Sequence, residues 1–364
     1  MIYLDHAATT PLDAQAKEEM LHWLDCANPS SQHARGREAR MAIDVAREFV
    51  AEAMNCLPGE VIFTSSGTEA CVLAIIGAAR AGVNGTRKRV LFGAAEHHAV
   101  LHCEKQLREL GYSVEFVPAT PAGAMDVTRL AVTDDVLLVC AMHANNETGA
   151  ITDVDSVAEK CRAAGALLFC DAIQSFGKLP LPDADIIAVS GHKVYGPKGV
   201  GALRIRAGVK IEPLIAGGGQ EREARGGTEN VAAIAGMGEV CRTGSTNPTS
   251  PKEAFTAEIR KLLPQAIFTS EGAPCLPTHA HLRIPGVSAE VSLINLDRLG
   301  VAASSGAACS SGSVEPSHVL IAAGRSEKEA AEGLRFTFGK DNTERQAKTA
   351  AALLAEAVNA TQAR

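Results

Sequence analysis

Several things are scarce in this chain, and each scarcity removes a class of function. Aromatic residues make up only 4% of the 364 positions and nowhere interleave with basic ones. No basic cluster exists, and the net charge is -7, from 35 Lys+Arg against 42 Asp+Glu. Nucleic acid as the main partner is therefore not expected, and a small polar substrate fits better. No apolar run approaches the roughly 20 residues of a membrane-spanning helix, so no membrane association is expected. The start, Met1-Ile2-Tyr3-Leu4-Asp5-His6, lacks a basic region followed by an apolar core, which implies no secretory signal and a cytoplasmic location. None of the 10 cysteines pairs with another as C-x-x-C, so no structural zinc or other metal site is expected, and most should be reduced thiols packed as small hydrophobes. Internal repeats and low-complexity tracts are missing too.

What is present is a long alternation. At this length a second, smaller domain beside a large one is the default. Helical periodicity occupies 14 to 25 and 35 to 54, with the turn Asn28-Pro29-Ser30-Ser31 between them. Strand-like runs then alternate with helical ones: 61 to 64, helix 68 to 81, 90 to 92, helix 98 to 109, 114 to 117, 136 to 142, helix 153 to 164, 166 to 170, 186 to 190 and 201 to 205. Such alternation predicts an α/β domain around a mostly parallel sheet. A Gly-rich segment at 216 to 228 and a polar linker at 243 to 251 follow, with a smaller α+β domain beginning near 250 and a last helix at 343 to 361. Ligands of open parallel sheets sit outside the carboxyl ends of the strands, so the residues just after each strand carry the interest.

One stretch organises the rest: Ser190-Gly191-His192-Lys193, at the end of an apolar strand. Most lysines are solvated surface charges, but one at the end of a buried strand, set among Ser, His and Gly, suits an aldehyde cofactor such as pyridoxal phosphate. Gly67 and Thr68, where a strand passes into a helix, read either as a phosphate cradle at a helix start or as ordinary capping. Asp171 follows another buried strand, where a carboxylate can keep a pyridine nitrogen protonated, with Gln174 donating to the ring's phenolic oxygen; a helix cap is the competing reading. His97 could stack on the ring and move a proton, or be a solvated or core histidine. The same pair of readings applies to Asn146.

Cys309 lies in the small-residue segment 304 to 313, which buries little, so its thiol is expected to be accessible and able to act as a nucleophile. Arg335 places a cation inside an apolar strand, where it awaits either a substrate carboxylate or a structural ion pair.

In this order the segments resemble the cysteine desulfurases, pyridoxal-phosphate enzymes of the class V aminotransferase group. The resemblance runs from Leu4-Asp5-His6-Ala7-Ala8-Thr9-Thr10-Pro11 to Arg335 and is most specific at 190 to 199 and 305 to 318, where the long Cys segment is similar to group I members. It implies the type I fold of pyridoxal-phosphate-dependent transferases, with a large cofactor-binding domain at 14–250 and a small domain, 1–13 and 251–364, carrying the Cys309 loop. It also implies Lys193 as the Schiff-base lysine, His97 as the ring-stacking acid/base and Asp171 as the pyridine-nitrogen partner, with Gln174 and Asn146 near the phenolic oxygen. Gly67, Thr68, Ser190 and His192 would hold the phosphate, with Thr228 reaching in from the second subunit of a homodimer. Arg335 and Asn146 would bind the carboxylate of L-cysteine. Cys309 would take its sulfur as a persulfide, releasing L-alanine, for delivery to a sulfur-acceptor protein such as an iron-sulfur scaffold. A selenocysteine lyase would share nearly every residue, whereas an aminotransferase of the group has no need of Cys309.

Overall fold

The structure is a computed structural model, and it describes residues 1–244, 248–306 and 316–362. Part of the expected linker at 243 to 251 and all of 307–315, Cys309 included, lie outside the described residues.

A seven-stranded sheet forms the centre of the larger unit, in the order Val61–Thr64, Gly201–Ile205, Ile186–Ser190, Leu167–Asp171, Val136–Met142, Arg89–Gly93, Ser113–Val117. All five residues of Ile186–Ser190 are buried, as expected of a strand covered on both faces. Its residues Ile187 and Val189 pack into one apolar cluster with the long helix Ala34–Ala53 and the helices Val154–Ala164 and Val231–Thr243. Ile186 and Ala188 pack into the opposite cluster with the helix Gly67–Ala81. That helix carries buried residues on all sides, and Leu73, Ala74, Ile75 and Ile76 are among them.

Gly201–Ile205 pairs antiparallel with both of its neighbours, and the other six strands share one direction. The cause is local. The connection from Ser190 to Gly201 is too short for a crossover helix, so the chain has to turn back as a hairpin-like return. Two reversals then leave the carboxyl end of Val61–Thr64 on the same side as those of Ile186–Ser190 and Leu167–Asp171. A second departure is the helix expected at 98 to 109, which is two, His98–Leu101 and Cys103–Glu109, broken at His102.

The smaller unit packs the helices Ser250–Leu262, Ala289–Arg298 and Glu344–Gln362 against the antiparallel strands Ile267–Phe268, His279–Arg283 and Gly333–Thr337. Phe255, Phe336 and Phe338 form its aromatic centre, with ring centroids 4.6 and 5.6 Å from Phe255. The N-terminal strand Ile2–Tyr3 joins Val301–Ala302 in parallel. Among the described residues, no helix is long and apolar enough to cross a membrane.

Candidate active site

The carboxyl ends of the co-directional strands open into a cavity of about 380 Å³. Gly67, Thr68, His97, Asn146, Asp171, Gln174, Ser190, His192, Lys193 and Arg335 all line it, so ten of the twelve expected positions meet in one place. Thr228 does not line it and is exposed on its own chain. Cys309 lies outside the described residues.

Lys193 ends the single helical turn Gly191–Lys193 that follows the buried strand Ile186–Ser190. Its Nζ donates to the carbonyls of Ala7 and Ala8 at 2.6 and 2.8 Å. Asp171, the last residue of its strand, is buried, and burial pushes its carboxyl up to about 6. The Ile173 N–H at 2.9 Å, the Cys71 thiol at 3.8 Å and the charge of Lys193 partly offset that desolvation.

His97 caps the short helix that starts at His98, its Nδ1 accepting from the Ala99 N–H at 3.0 Å. Burial, then the charge of Lys193, lowers its pKa to about 4, so the ring is neutral near pH 7. His192 is lowered to about 4 by the same two causes, with Lys198 adding to them.

Gly67 opens the helix Gly67–Ala81, and Ser66 caps that helix by accepting from the Glu69 N–H. A Cβ at Gly67 would stand 2.5 Å from Ile173 Cδ1 and 3.1 Å from Ser190 Cβ, so only glycine keeps this corner of the cavity clear. The helix start adds uncommitted amides and a positive dipole end.

Four buried polar atoms on residues of the cavity lining have no hydrogen-bond partner among the described residues: Ser190 Oγ, Asn146 Oδ1, Gln174 Oε1 and Arg335 Nε. Buried polar groups are rarely left unmatched, so four around one cavity call for a polar ligand. An amine, a carboxylate, a neutral imidazole, a helix N-terminus and these orphans together fit pyridoxal 5′-phosphate, which has an aldehyde, a pyridine nitrogen, a phenolic oxygen and a phosphate.

Arg335 is buried in the strand Gly333–Thr337. Its Nη2 donates to Asp5 Oδ1 at 2.8 Å and its Nη1 to the Asn146 carbonyl at 2.8 Å, whereas Nε has no partner among the described residues. Both readings from the sequence thus have a foothold, a structural ion pair and an unused donor. A second cavity, of about 680 Å³, adjoins the first through Thr68, His97, Asn146 and Gly306, and His98, His102 and His318 line it. The carbonyls under Lys193, the buried Glu147 and this outer cavity were not legible as site features, although Glu147 stands beside Asn146, and Ala7 and Ala8 fall in the stretch 4 to 11 that carries the resemblance.

The Aminotransferase class-V model matches residues 2–349. The chain belongs to the class-V aminotransferase family. Within this family, the cysteine desulfurase IscS of Dictyoglomus turgidum is 39% identical over 353 residues, covering 93% of this chain and 89% of that protein. A solved NifS-like protein matches with a TM-score of 0.88 and 30% identity, covering 98% of this chain and 99% of that one. A structure of SspA in complex with cysteine matches with a TM-score of 0.85 and 29% identity, covering 94% and 100%. The expected type I transferase fold and the resemblance to cysteine desulfurases are borne out by these matches, and pyridoxal 5′-phosphate is the cofactor of this class-V group.

Proposed function

We propose that this chain is a cysteine desulfurase that converts L-cysteine to L-alanine and carries the released sulfur as a persulfide on Cys309. The observation that carries the reading is the position of the two described residues that flank the stretch holding Cys309 in the sequence. Gly306, which precedes it, lines both cavities, and Ser317, which follows it, lines the outer one. Both flanks of that stretch thus border the cavity in which the amino-acid substrate would bind, which supports Cys309 as the sulfur acceptor.

Lys193 would bond the cofactor aldehyde, Asp171 would face the pyridine nitrogen, and Gln174 and Asn146 would lie near the phenolic oxygen. Gly67, Thr68, Ser190 and His192 would hold the phosphate. Bound there, pyridoxal phosphate supplies an electron sink conjugated to the substrate α-carbon. His97, neutral near pH 7, is able to accept a proton, and the Lys193 amine can take the substrate's α-proton and return one. Arg335 orients the L-cysteine carboxylate with its remaining donors, and Asn146 stands beside it. Cys309, as thiolate, attacks the substrate sulfur. The new S–S bond forms as the substrate C–S bond breaks, leaving a Cys309 persulfide, and protonation of the carbon fragment completes L-alanine.

The domain division follows the same reading: 14–250 binds the cofactor, and the segment 1–13 joins 251–364. The exposed position of Thr228 suits a contribution to the other site of a homodimer. The persulfide would pass to an acceptor protein such as an iron-sulfur scaffold. Substitution Cys309→Ser tests the assignment: the protein is expected to take up pyridoxal phosphate, with its visible absorption band, yet to release no sulfide from L-cysteine in the presence of a reducing thiol. Sulfide release at the unmutated rate refutes it.

A further inference from the structure

Glu147 takes no role in the chemistry proposed above, yet it is buried in the wall of the outer cavity, 3% exposed. Its backbone is fixed from below, because Asn145 Oδ1 accepts from the N–H groups of Glu147 and Thr148 at 2.9 and 3.0 Å, and Asn145 Nδ2 donates to the Ala95 carbonyl. Its carboxyl group meets described residues on both sides of the stretch 307–315, Gly306 and Ser317. Ser317 Oγ donates to Glu147 Oε2 at 2.5 Å while accepting from the Leu320 N–H at 3.2 Å, so one hydroxyl both caps the helix His318–Ala322 and ties it to Glu147.

On the other side, Gly306 rests against the same carboxyl. Its φ is +90°, and a Cβ there would stand 2.8 Å from Glu147 Oε2, so both conformation and contact require glycine. The Gly306 N–H donates to Ser304 Oγ at 3.1 Å, and Ser304 exchanges two backbone hydrogen bonds with Arg335. Arg335 in turn donates to the carbonyl of Asn146, next to Glu147.

We propose that Glu147 is a positioning residue for sulfur transfer, its carboxyl group fixing Gly306 and Ser317 as the two anchor points from which the Cys309-bearing stretch leaves and returns. This rests on Cys309 being the sulfur acceptor. The reason position matters is covalent: Cys309 is three residues from Gly306, and such a tether spans at most about 11 Å. Where Gly306 sits therefore decides whether the thiol can reach the cavity at all. A buried carboxyl is costly unless its oxygens are matched, and here the match to Oε2 comes from Ser317, which follows the stretch holding the nucleophile in the sequence.

The test compares Glu147→Ala, Glu147→Gln and Ser317→Ala with the unmutated protein, all loaded with pyridoxal phosphate. Initial rates of alanine release are measured over a range of L-cysteine concentrations, and the alkylation rate of the Cys309 peptide by iodoacetamide is followed by mass spectrometry. Glu147→Ala is expected to keep the visible band and KM within twofold, to lower kcat at least tenfold and to change the Cys309 alkylation rate at least threefold. Glu147→Gln keeps an acceptor for Ser317 and is expected to restore kcat to within threefold. Ser317→Ala removes the hydrogen bond while leaving the carboxyl in place, and it is expected to lower kcat at least fivefold, which keeps the test open if Glu147→Ala does not fold. An unchanged kcat in Glu147→Ala or Ser317→Ala, or a Glu147→Gln protein that folds yet is as slow as Glu147→Ala, overturns the proposal. Failure of the Cys309 assignment looks different, since Cys309→Ser would then still release sulfide.

Discussion

Replacing Arg335 with lysine separates the ion pair it makes with Asp5 from the substrate role proposed for it. A guanidinium has five N–H donors, and the structure commits one to Asp5 Oδ1 and one to the Asn146 carbonyl, with Nε unpartnered among the described residues. Lysine keeps the positive charge opposite Asp5 but loses the planar fork that grips a carboxylate through two parallel bonds. One hydrogen bond to a charged group contributes about 1.5–3 kcal/mol, so Arg335→Lys should lower kcat/KM for L-cysteine roughly 10- to 150-fold, mostly through KM. The assay is the initial rate of sulfide and alanine release against L-cysteine concentration, run in parallel with cysteamine, which lacks the carboxylate. Arg335→Lys should discriminate far less than the unmutated protein between the two. An unchanged KM together with a lowered melting temperature would mean that Asp5 and Asn146 account for the whole guanidinium, and the substrate role would be lost.

Two further outcomes concern stability. Arg47 and Glu221 form a bidentate pair at 2.7 and 2.8 Å with side chains 6% and 1% exposed, and Glu221 also accepts from the Phe63 N–H of the strand that leads to Gly67. Glu221→Gln strands a buried guanidinium and should cost about 3–5 kcal/mol in denaturant unfolding, whereas Arg47→Met/Glu221→Leu together should cost less; equal losses would show that the charges do not act as a pair. His281, bonded through Nδ1 to Thr269 Oγ1 at 2.7 Å, is lowered to about 3 by burial and by the charges of Arg335 and Arg325. The unfolded chain then binds the extra proton, so this contribution is intact above about pH 6.5 and is lost as pH falls toward 3, at up to about 1.4 kcal/mol per pH unit. His281→Gln should flatten that part of the stability-against-pH curve, and an unaltered slope between pH 6 and 4 would exclude His281 as its source.

The strands and most helices were legible because burial on two faces writes continuous apolar runs, as in 136 to 142 and 186 to 190. The direction of Gly201–Ile205 was not, since it depends on the length of the return from Ser190 rather than on the strand's own residues. The break at His102 escaped for a related reason: both halves keep helical composition across it. Site residues at strand ends could be found because strand ends converge, which is how Asp171 and Lys193 were read together from a separation of 22 positions. Asp5 as the partner of Arg335 could not be, because 330 positions separate them and neither flank encodes the contact.

That contact belongs to a larger arrangement. The strand Ile2–Tyr3 pairs with Val301–Ala302, Asp5 meets Arg335, the Ala7 N–H donates to Thr337 Oγ1, and the Ala7 carbonyl accepts from both Lys193 Nζ and Gln174 Nε2. The Thr10 hydroxyl and N–H both donate to the His192 carbonyl at 3.0 and 2.9 Å. Nine residues from Ile2 to Thr10 therefore connect the lysine turn of the large sheet to the strand bearing Arg335 and to the strand that leads into Ser304 and Gly306. In the proposed reaction the substrate amine would approach Lys193 and its carboxylate Arg335, a fixed, short distance apart within one amino acid. Lys193 and Arg335 come from different sheets, so a shared third segment bonded to both is the means by which the fold holds their spacing, with Gly306 kept in register through Ser304.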